Sequence, residues 1–328
     1  MKYLFVLIPL LLSSCGTGPT TKKLPKNLDS LIVMFPDSTE LLIKRGAKFL
    51  EEYKHEEALN DAAKAFRLDS SAIENRLLYA NVLNNKPQRS VNDVLTAQRH
   101  FKFIVEKEKE NTKAIVGLAS TYSFLQDFET SFIYINNALR IDPKLRDAYI
   151  LKGSNYLTLG KRDLAKSSYE TAVQQDPKFW EGYVWLGALY QAEENPLCIE
   201  YYTSAAQLQP KNLDVLYSLA FAKQVFNEEK DAIRIYRKMI QLDNEFHEAL
   251  FQIGRIYHEQ NNIDSATYYY NSSIITNPEY VEAYHNLGLI YEAKGDIENA
   301  LKNYAKALKY NPTFELSRKQ ADGLRNKR

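Results

Sequence analysis

From Val281 to Pro312 apolar and polar residues alternate with a helical period. Apolar or small residues fall at Ala283, Tyr284, Leu287, Gly288 and Tyr291, steps of three and four that lay one stripe along a helix. Gly295-Asp296 interrupts the pattern. A second stripe then runs through Ile297, Ala300, Leu301, Tyr304, Ala307 and Leu308. Asn311-Pro312 ends it, because proline lacks the N–H that a continuing helix needs. The pattern predicts two amphipathic helices joined by a tight turn. A helix pair this small cannot bury its own apolar face, so more copies are expected.

The copies are present at a spacing of about 34 residues, beginning at Thr39, Ile73, Thr112, Arg146, Trp180, Leu213, His247 and Val281. The repeat from Trp180 is one residue short in its inter-helix turn, and the repeat from Ile73 is five residues longer there, around Asn84-Asn85-Lys86-Pro87. The eighth position of the repeat is Gly46, Ala80, Ala119, Gly153, Gly187, Ala220, Gly254 and Gly288. The twentieth is Ala58, Ala97, Ser131, Ala165, Cys198, Ala232, Ala266 and Ala300. Small residues in both slots let two helices approach closely, so Gly254 and Ala266 are expected at one tight crossing. The twenty-fourth position supplies bulk: Phe101, Tyr169, Tyr202, Tyr236, Tyr270 and Tyr304. Pro143, Pro177, Pro210, Pro278 and Pro312 close five of the repeats.

Period, small-residue slots and closing prolines together resemble the tetratricopeptide repeat (TPR) family, over Thr39 to Phe314. The resemblance implies an all-α, right-handed superhelical solenoid of about eight helix–turn–helix repeats, spanning 39–72, 73–111, 112–145, 146–179, 180–212, 213–246, 247–280 and 281–314. Residues 315–328 are expected to form a short capping helix and a basic tail. Arg45 and Ala62 occupy slots that are usually large and apolar, as befits an edge repeat.

The amino terminus bears on compartment. Lys2 and the apolar run Leu4–Leu12 read as an export signal over residues 1–14, too short to span a bilayer. It ends Leu12-Ser13-Ser14-Cys15, which resembles a bacterial lipobox and implies lipidation of Cys15; an ordinary secretory signal with a chance cysteine is the alternative. Gly16, where a retained enteric lipoprotein has Asp, implies the outer membrane, facing the periplasm. Residues 15–38 hold the acylated cysteine, a tether rich in Gly, Pro, Thr and Lys, and the apolar segment Leu28–Phe35. That segment reads as a cap on the first repeat or as a membrane-dipping stretch.

Charge changes the picture by what it excludes. Lys plus Arg number 42 and Asp plus Glu 41, so no nucleic-acid or strongly charged partner is expected. The 23 tyrosines suit helix interfaces, offering an apolar body and a polar tip. Two cysteines are too few for a disulfide framework, and Cys198 reads as a packing residue. No His pair has the spacing of a helical zinc site, and no phosphate loop follows a strand pattern. His258 and His285, with Glu259 or Glu292, form the one arrangement worth weighing as a metal site against ordinary groove-lining polar residues. The expectation is a protein that is not an enzyme and takes no cofactor or metal.

In the TPR family the first helix of each repeat lines a concave surface at positions two, five, nine, twelve and thirteen. Mapped here, this implies a partner-binding groove of Val116, Ser120, Phe124, Ile150, Ser154, Val184, Gln191, Tyr217, Phe221, Gln224, Phe251, Arg255, His258 and His285. Apolar and aromatic groups among Ser and Gln suit an extended peptide or an amphipathic helix. The Lys and Asn pattern of the family's clamp for C-terminal carboxylates is missing. The expected function is a membrane-anchored scaffold or adaptor of the bacterial cell envelope that binds envelope proteins. The alternative is a glycan- or small-molecule-binding lipoprotein that uses Trp185, Tyr217 and Phe221 as stacking platforms.

Overall fold

The structure, a computed structural model, describes residues 27–326, so the expected export signal, Cys15 and most of the tether lie outside it. The described residues form eighteen helices and no strand, and they divide into two compact units after Asp127.

The first unit contains α1 (Leu28–Met34), α2 (Thr39–Glu51), α3 (His55–Leu68), α4 (Ile73–Asn85), α5 (Val91–Lys107) and α6 (Thr112–Phe124). α2 pairs with α3 and α4 with α5, and α6 packs on α5. α1 lays buried Ile32 against Leu42 and Ala65, while Val33, Met34 and Phe35 stay exposed. The Leu28–Phe35 segment is therefore a helix docked on the first repeat, with an apolar tip left in solvent. Arg45 takes an apolar slot by pairing with buried Asp61 through two bonds of 2.7 and 2.8 Å, and with Asp29 at 3.0 Å. A buried carboxylate needs such a partner. Ala62 is fully buried beside Leu78 and Val82.

The second unit contains α7 (Phe128–Ile141), α8 (Arg146–Thr158), α9 (Arg162–Gln175), α10 (Trp180–Gln191), α11 (Cys198–Leu208) and α12 (Leu213–Val225). It continues with α13 (Glu229–Leu242), α14 (His247–Glu259), α15 (Ile263–Thr276), α16 (Val281–Ala293), α17 (Ile297–Tyr310) and α18 (Glu315–Arg325). Neighbours pair as α8 with α9, α10 with α11, α12 with α13, α14 with α15 and α16 with α17. α18 closes the last pair by setting Ala321 and Leu324 on Ala300 and Tyr304.

The pairs close by one recurring contact. A Cβ on Gly153 would lie 2.6 Å from the ring of Tyr169, on Gly187 2.6 Å from Tyr202, and on Gly254 2.7 Å from Tyr270; Gly288 meets Tyr304 in the same way. Carbon contacts are normally 3.5–4.0 Å, so no methyl fits there. α14 packs on α15 with Ala266 fully buried. The space left by the glycine is filled by the ring at position twenty-four, because a flat phenol against bare backbone buries more apolar area than a methyl would.

The turns follow a second rule. Tyr53, Gln126, Glu194, Asn227 and Asn261, with Gly160 and Gly295, have positive φ and reverse the chain between the helices of a repeat. No described residue in the longer turn after α4 does so. There Lys86 pairs with Asp93 at 2.6 Å, and Ser90 and Asp93 form a reciprocal capping box that starts α5.

Candidate functional site

The expected groove residues lie on first helices of the repeats, and their surroundings separate them into three kinds.

One group is half-buried or exposed. Val116 on α6, Ile150 on α8, Val184 on α10 and Tyr217 and Phe221 on α12 are half-buried, and Ser154 is exposed. On α12, Tyr217 and Phe221 stack in parallel with ring centres 6.3 Å apart. Val225 follows one turn later at 48% exposure. Spacing of four residues puts all three on one helix face. Tyr217 is held from behind: Gln252 Nε2 donates to its hydroxyl at 2.8 Å, and the buried Tyr236 ring meets it edge-on at 5.9 Å. Arg255 is half-buried and donates to Glu259 at 3.1 Å.

A second group is spent on the core. Phe251 is only 6% exposed, enclosed by Tyr270 at 5.5 Å and Tyr280 at 5.2 Å. His285 is 9% exposed; its Nδ1 shares a 3.0 Å hydrogen bond with Ser317 of α18, and Phe314 meets its ring edge-on. These two do not line an open surface, because the loop after α15 covers the first and the capping helix covers the second. The reading of Phe251 as an exposed anchor is corrected accordingly.

Four polar residues at position twelve, Gln191, Gln224, His258 and Glu292, share one task. The Tyr202 hydroxyl donates to Gln191 at 2.9 Å, Tyr236 to Gln224 at 3.1 Å and Tyr304 to Glu292 at 2.7 Å, while the Tyr270 hydroxyl lies 3.4 Å from Nδ1 of His258. Burial drives these phenols to stay neutral donors; the Tyr202 hydroxyl is pushed up to about 12. A buried donor left without an acceptor costs about 1–3 kcal/mol. Gln191 and Gln224 are therefore acceptors for the core tyrosines, and His258 is the ring partner of Tyr270. Burial also holds His258 and His285 below the usual histidine range. Among the described residues no three His, Cys, Asp or Glu side chains are placed to hold a metal ion. Cys198 is fully buried, and burial raises its thiol.

The third kind lies in the first unit. Ser120 accepts from Asn84 Nδ2 at 3.1 Å, and Phe124 carries the Arg89 guanidinium 4.6 Å above its ring centre. The α4–α5 turn thus folds back onto Phe124 through Arg89, while Asn84 at the end of α4 holds Ser120. Arg89 escaped the repeat pattern because the insertion has no counterpart in other repeats; its length was the only signal. No helix among the described residues is long and apolar enough to cross a membrane.

Comparison with known proteins names the repeat. Tetratricopeptide repeat models match residues 112–145, 147–179 and 281–314, and a TPR repeat model matches 254–295. The chain is 21% identical over 140 residues to anaphase-promoting complex subunit 3 of Schizosaccharomyces pombe, covering 42% of this chain and 21% of that protein. It is 27% identical over 176 residues to the human protein O-mannosyl-transferase TMTC1, covering 52% of this chain and 19% of that one. It therefore spans about a fifth of the length of these two relatives. Among solved structures, the C-terminal part of a TPR repeat-containing protein from Cytophaga hutchinsonii superposes with a TM-score of 0.62 at 19% identity, over 74% of this chain and 97% of that one. The helix pairs described above are tetratricopeptide repeats at the matched segments, and the chain has the all-helical TPR fold.

Proposed function

We propose that this chain is a lipid-anchored scaffold of the bacterial cell envelope that holds a partner protein on the exposed faces of its first helices. TPR proteins generally mediate protein–protein interaction, and one relative is named as a subunit of a multiprotein complex. The observation that carries the reading is the α12 face, where Tyr217, Phe221 and Val225 form an apolar stripe that the fold does not fully bury. Rigid aromatics backed by a buried core are good anchors for an amphipathic segment, because little side-chain entropy remains to be lost. The anchor rests on Leu12-Ser13-Ser14-Cys15, and Gly16 supports the outer membrane. Several acyl chains on Cys15 would give stable attachment where one gives only marginal binding.

Two experiments test the proposal. Cys15→Ser should abolish lipidation and move the protein from the membrane to the soluble envelope fraction; membrane partition equal to wild type would refute the anchor. Crosslinking in intact cells through a carboxy-terminal tag should recover envelope proteins. Recovery of glycan without protein would favour a glycan-binding lipoprotein instead.

A further inference from the structure

α1 ends in an apolar tip that the fold leaves bare. Val33 is 82% exposed, and Met34 and Phe35 are 49% exposed each. Single exposed apolar side chains are ordinary, but three in a row at the end of one element make a contiguous patch. The tip stands on a firm mount. Ile32 is buried against Leu42 and Ala65, Arg45 holds Asp29 in the first turn at 3.0 Å, and Lys64 Nζ donates to the Pro36 carbonyl at 2.6 Å. Lys64 also pairs with Asp37 at 3.1 Å, so the first carboxylate after the tip is matched by a cation. A segment fixed in this way loses little entropy when something covers it.

The residues before α1 name the occupant. Counting from 15 to 27, Cys15 lies twelve positions before Asn27, the N-cap of α1. That length spans at most about 40 Å. The seven residues of α1 are about 10 Å long. A lipid on Cys15 therefore holds the tip within reach of the bilayer surface, with chain enough for α1 to turn its far end towards it. The intervening residues also carry one sign of charge: Lys22, Lys23 and Lys26, with no Asp or Glu from Cys15 to Leu28. Lysines beside an apolar group suit an anionic lipid surface, the cations meeting headgroups while the apolar side chains pass between them. Tethering raises the local concentration of that surface, so it is covered ground before any free partner arrives.

We propose that Val33, Met34 and Phe35 insert into the headgroup region of the leaflet that holds the Cys15 lipid, giving the first unit a second point of contact with the membrane. The acyl chains keep the protein at the membrane, and the tip sets which side of the first unit faces it. The inference deepens the lipid-anchor reading and rests on it, because acylation of Cys15 is what brings the bilayer within reach.

The test uses the full mature chain in vesicles of phosphatidylethanolamine and phosphatidylglycerol, with acylation of Cys15 checked by mass spectrometry. A nitroxide is attached at Val33→Cys and, in a second protein, at Glu56→Cys, an exposed site at the start of α3. Both carry Cys198→Ala, the residue that most other repeats place in that slot. Spin-label saturation is read with oxygen, which concentrates in lipid, and with a nickel chelate, which stays in water. The oxygen-to-nickel accessibility ratio at Val33 should be at least about fivefold above that at Glu56, as for a side chain sunk about 5–10 Å into the headgroup boundary. Equal ratios on an acylated chain would overturn the inference and leave the anchor standing. Low access to both reagents at Val33 would also overturn it, because a protein surface and not lipid then covers the tip. A Cys15 without acyl chains would refute the anchor reading and the inference with it. If Val33→Cys does not fold, Phe35→Cys is read instead, with the same expected and contrary results.

Discussion

Gly254→Ala probes the contact that closes the helix pairs. The new methyl would lie 2.7 and 2.8 Å from two ring carbons of Tyr270 and 3.4 Å from Cβ of Tyr269. Against a normal separation of about 3.5–4.0 Å, two ring atoms are each overlapped by roughly 1 Å. Tyr270 is fully buried and backed by Phe251, so the ring has nowhere to go without displacing a second aromatic. Overpacking of this kind costs about 1–3 kcal/mol. The rigid, doubly contacted ring argues for the upper part of that range. Replacing a mid-helix glycine by alanine returns about 0.8–1 kcal/mol of helix propensity. The net expectation is a loss of about 1–2 kcal/mol, read from urea denaturation followed at 222 nm. Hydrogen exchange should show the loss first in α14 and α15, because repeats couple mainly to their neighbours. Gly323→Ala is the matched control: a Cβ there meets nothing within 4 Å and the site is exposed in α18, so a gain of about 0.5–1 kcal/mol is expected. If Gly254→Ala stabilises the protein as Gly323→Ala does, the ring-on-glycine account is wrong.

Two further outcomes follow from burial. Phe251→Ala should destabilise by about 3–5 kcal/mol, as for a core aromatic, whereas Phe221→Ala, at a half-buried site, should cost clearly less, about 1–2 kcal/mol; equal losses would show that the two rings share one environment. His100, half-buried next to Arg76 with 3.0 Å between Nδ1 and Nη1, is held down to about 4, by burial first and then by the Arg76 charge. The unfolded chain therefore binds this proton near pH 6.5 and the folded chain only near 4, so stability falls as the pH drops through that window. The contribution is about 2–3 kcal/mol, and His100→Gln should flatten that part of the wild-type profile measured by urea titration at pH 7 and pH 4.5. A profile unchanged by the substitution would refute the assignment.

The helix pairs were legible because the small residues at Gly153, Gly187, Gly254 and Gly288 recur in step with Tyr169, Tyr202, Tyr270 and Tyr304, and only one packing satisfies both. The fates of individual groove positions were less legible. Position five of the repeat holds Val184, Tyr217, Phe251 and His285, and periodicity treats them alike. What separates them is tertiary: α18 supplies Ser317 and the loop after α15 supplies Tyr280, and neither belongs to the helix that carries the covered side chain. Likewise Gln191 and Gln224 read as ligands because their tyrosine partners lie eleven and twelve residues away on the second helix of the pair. The insertion announced itself by length but not by contact, since Arg89 reaches Phe124 across 35 residues of sequence, counting from 89 to 124.

The scaffold reading is tested most directly by crosslinking in intact cells with Phe221→Ala and Val225→Ser combined. Both side chains belong to the partly exposed face of α12, so the double variant should keep its helical signal and remain folded under the conditions of the experiment. If that face holds a partner, recovery of the crosslinked envelope protein should fall at least tenfold, since aromatic anchors at an interface centre are worth about 2 kcal/mol or more. Undiminished recovery by a folded double variant would contradict the account.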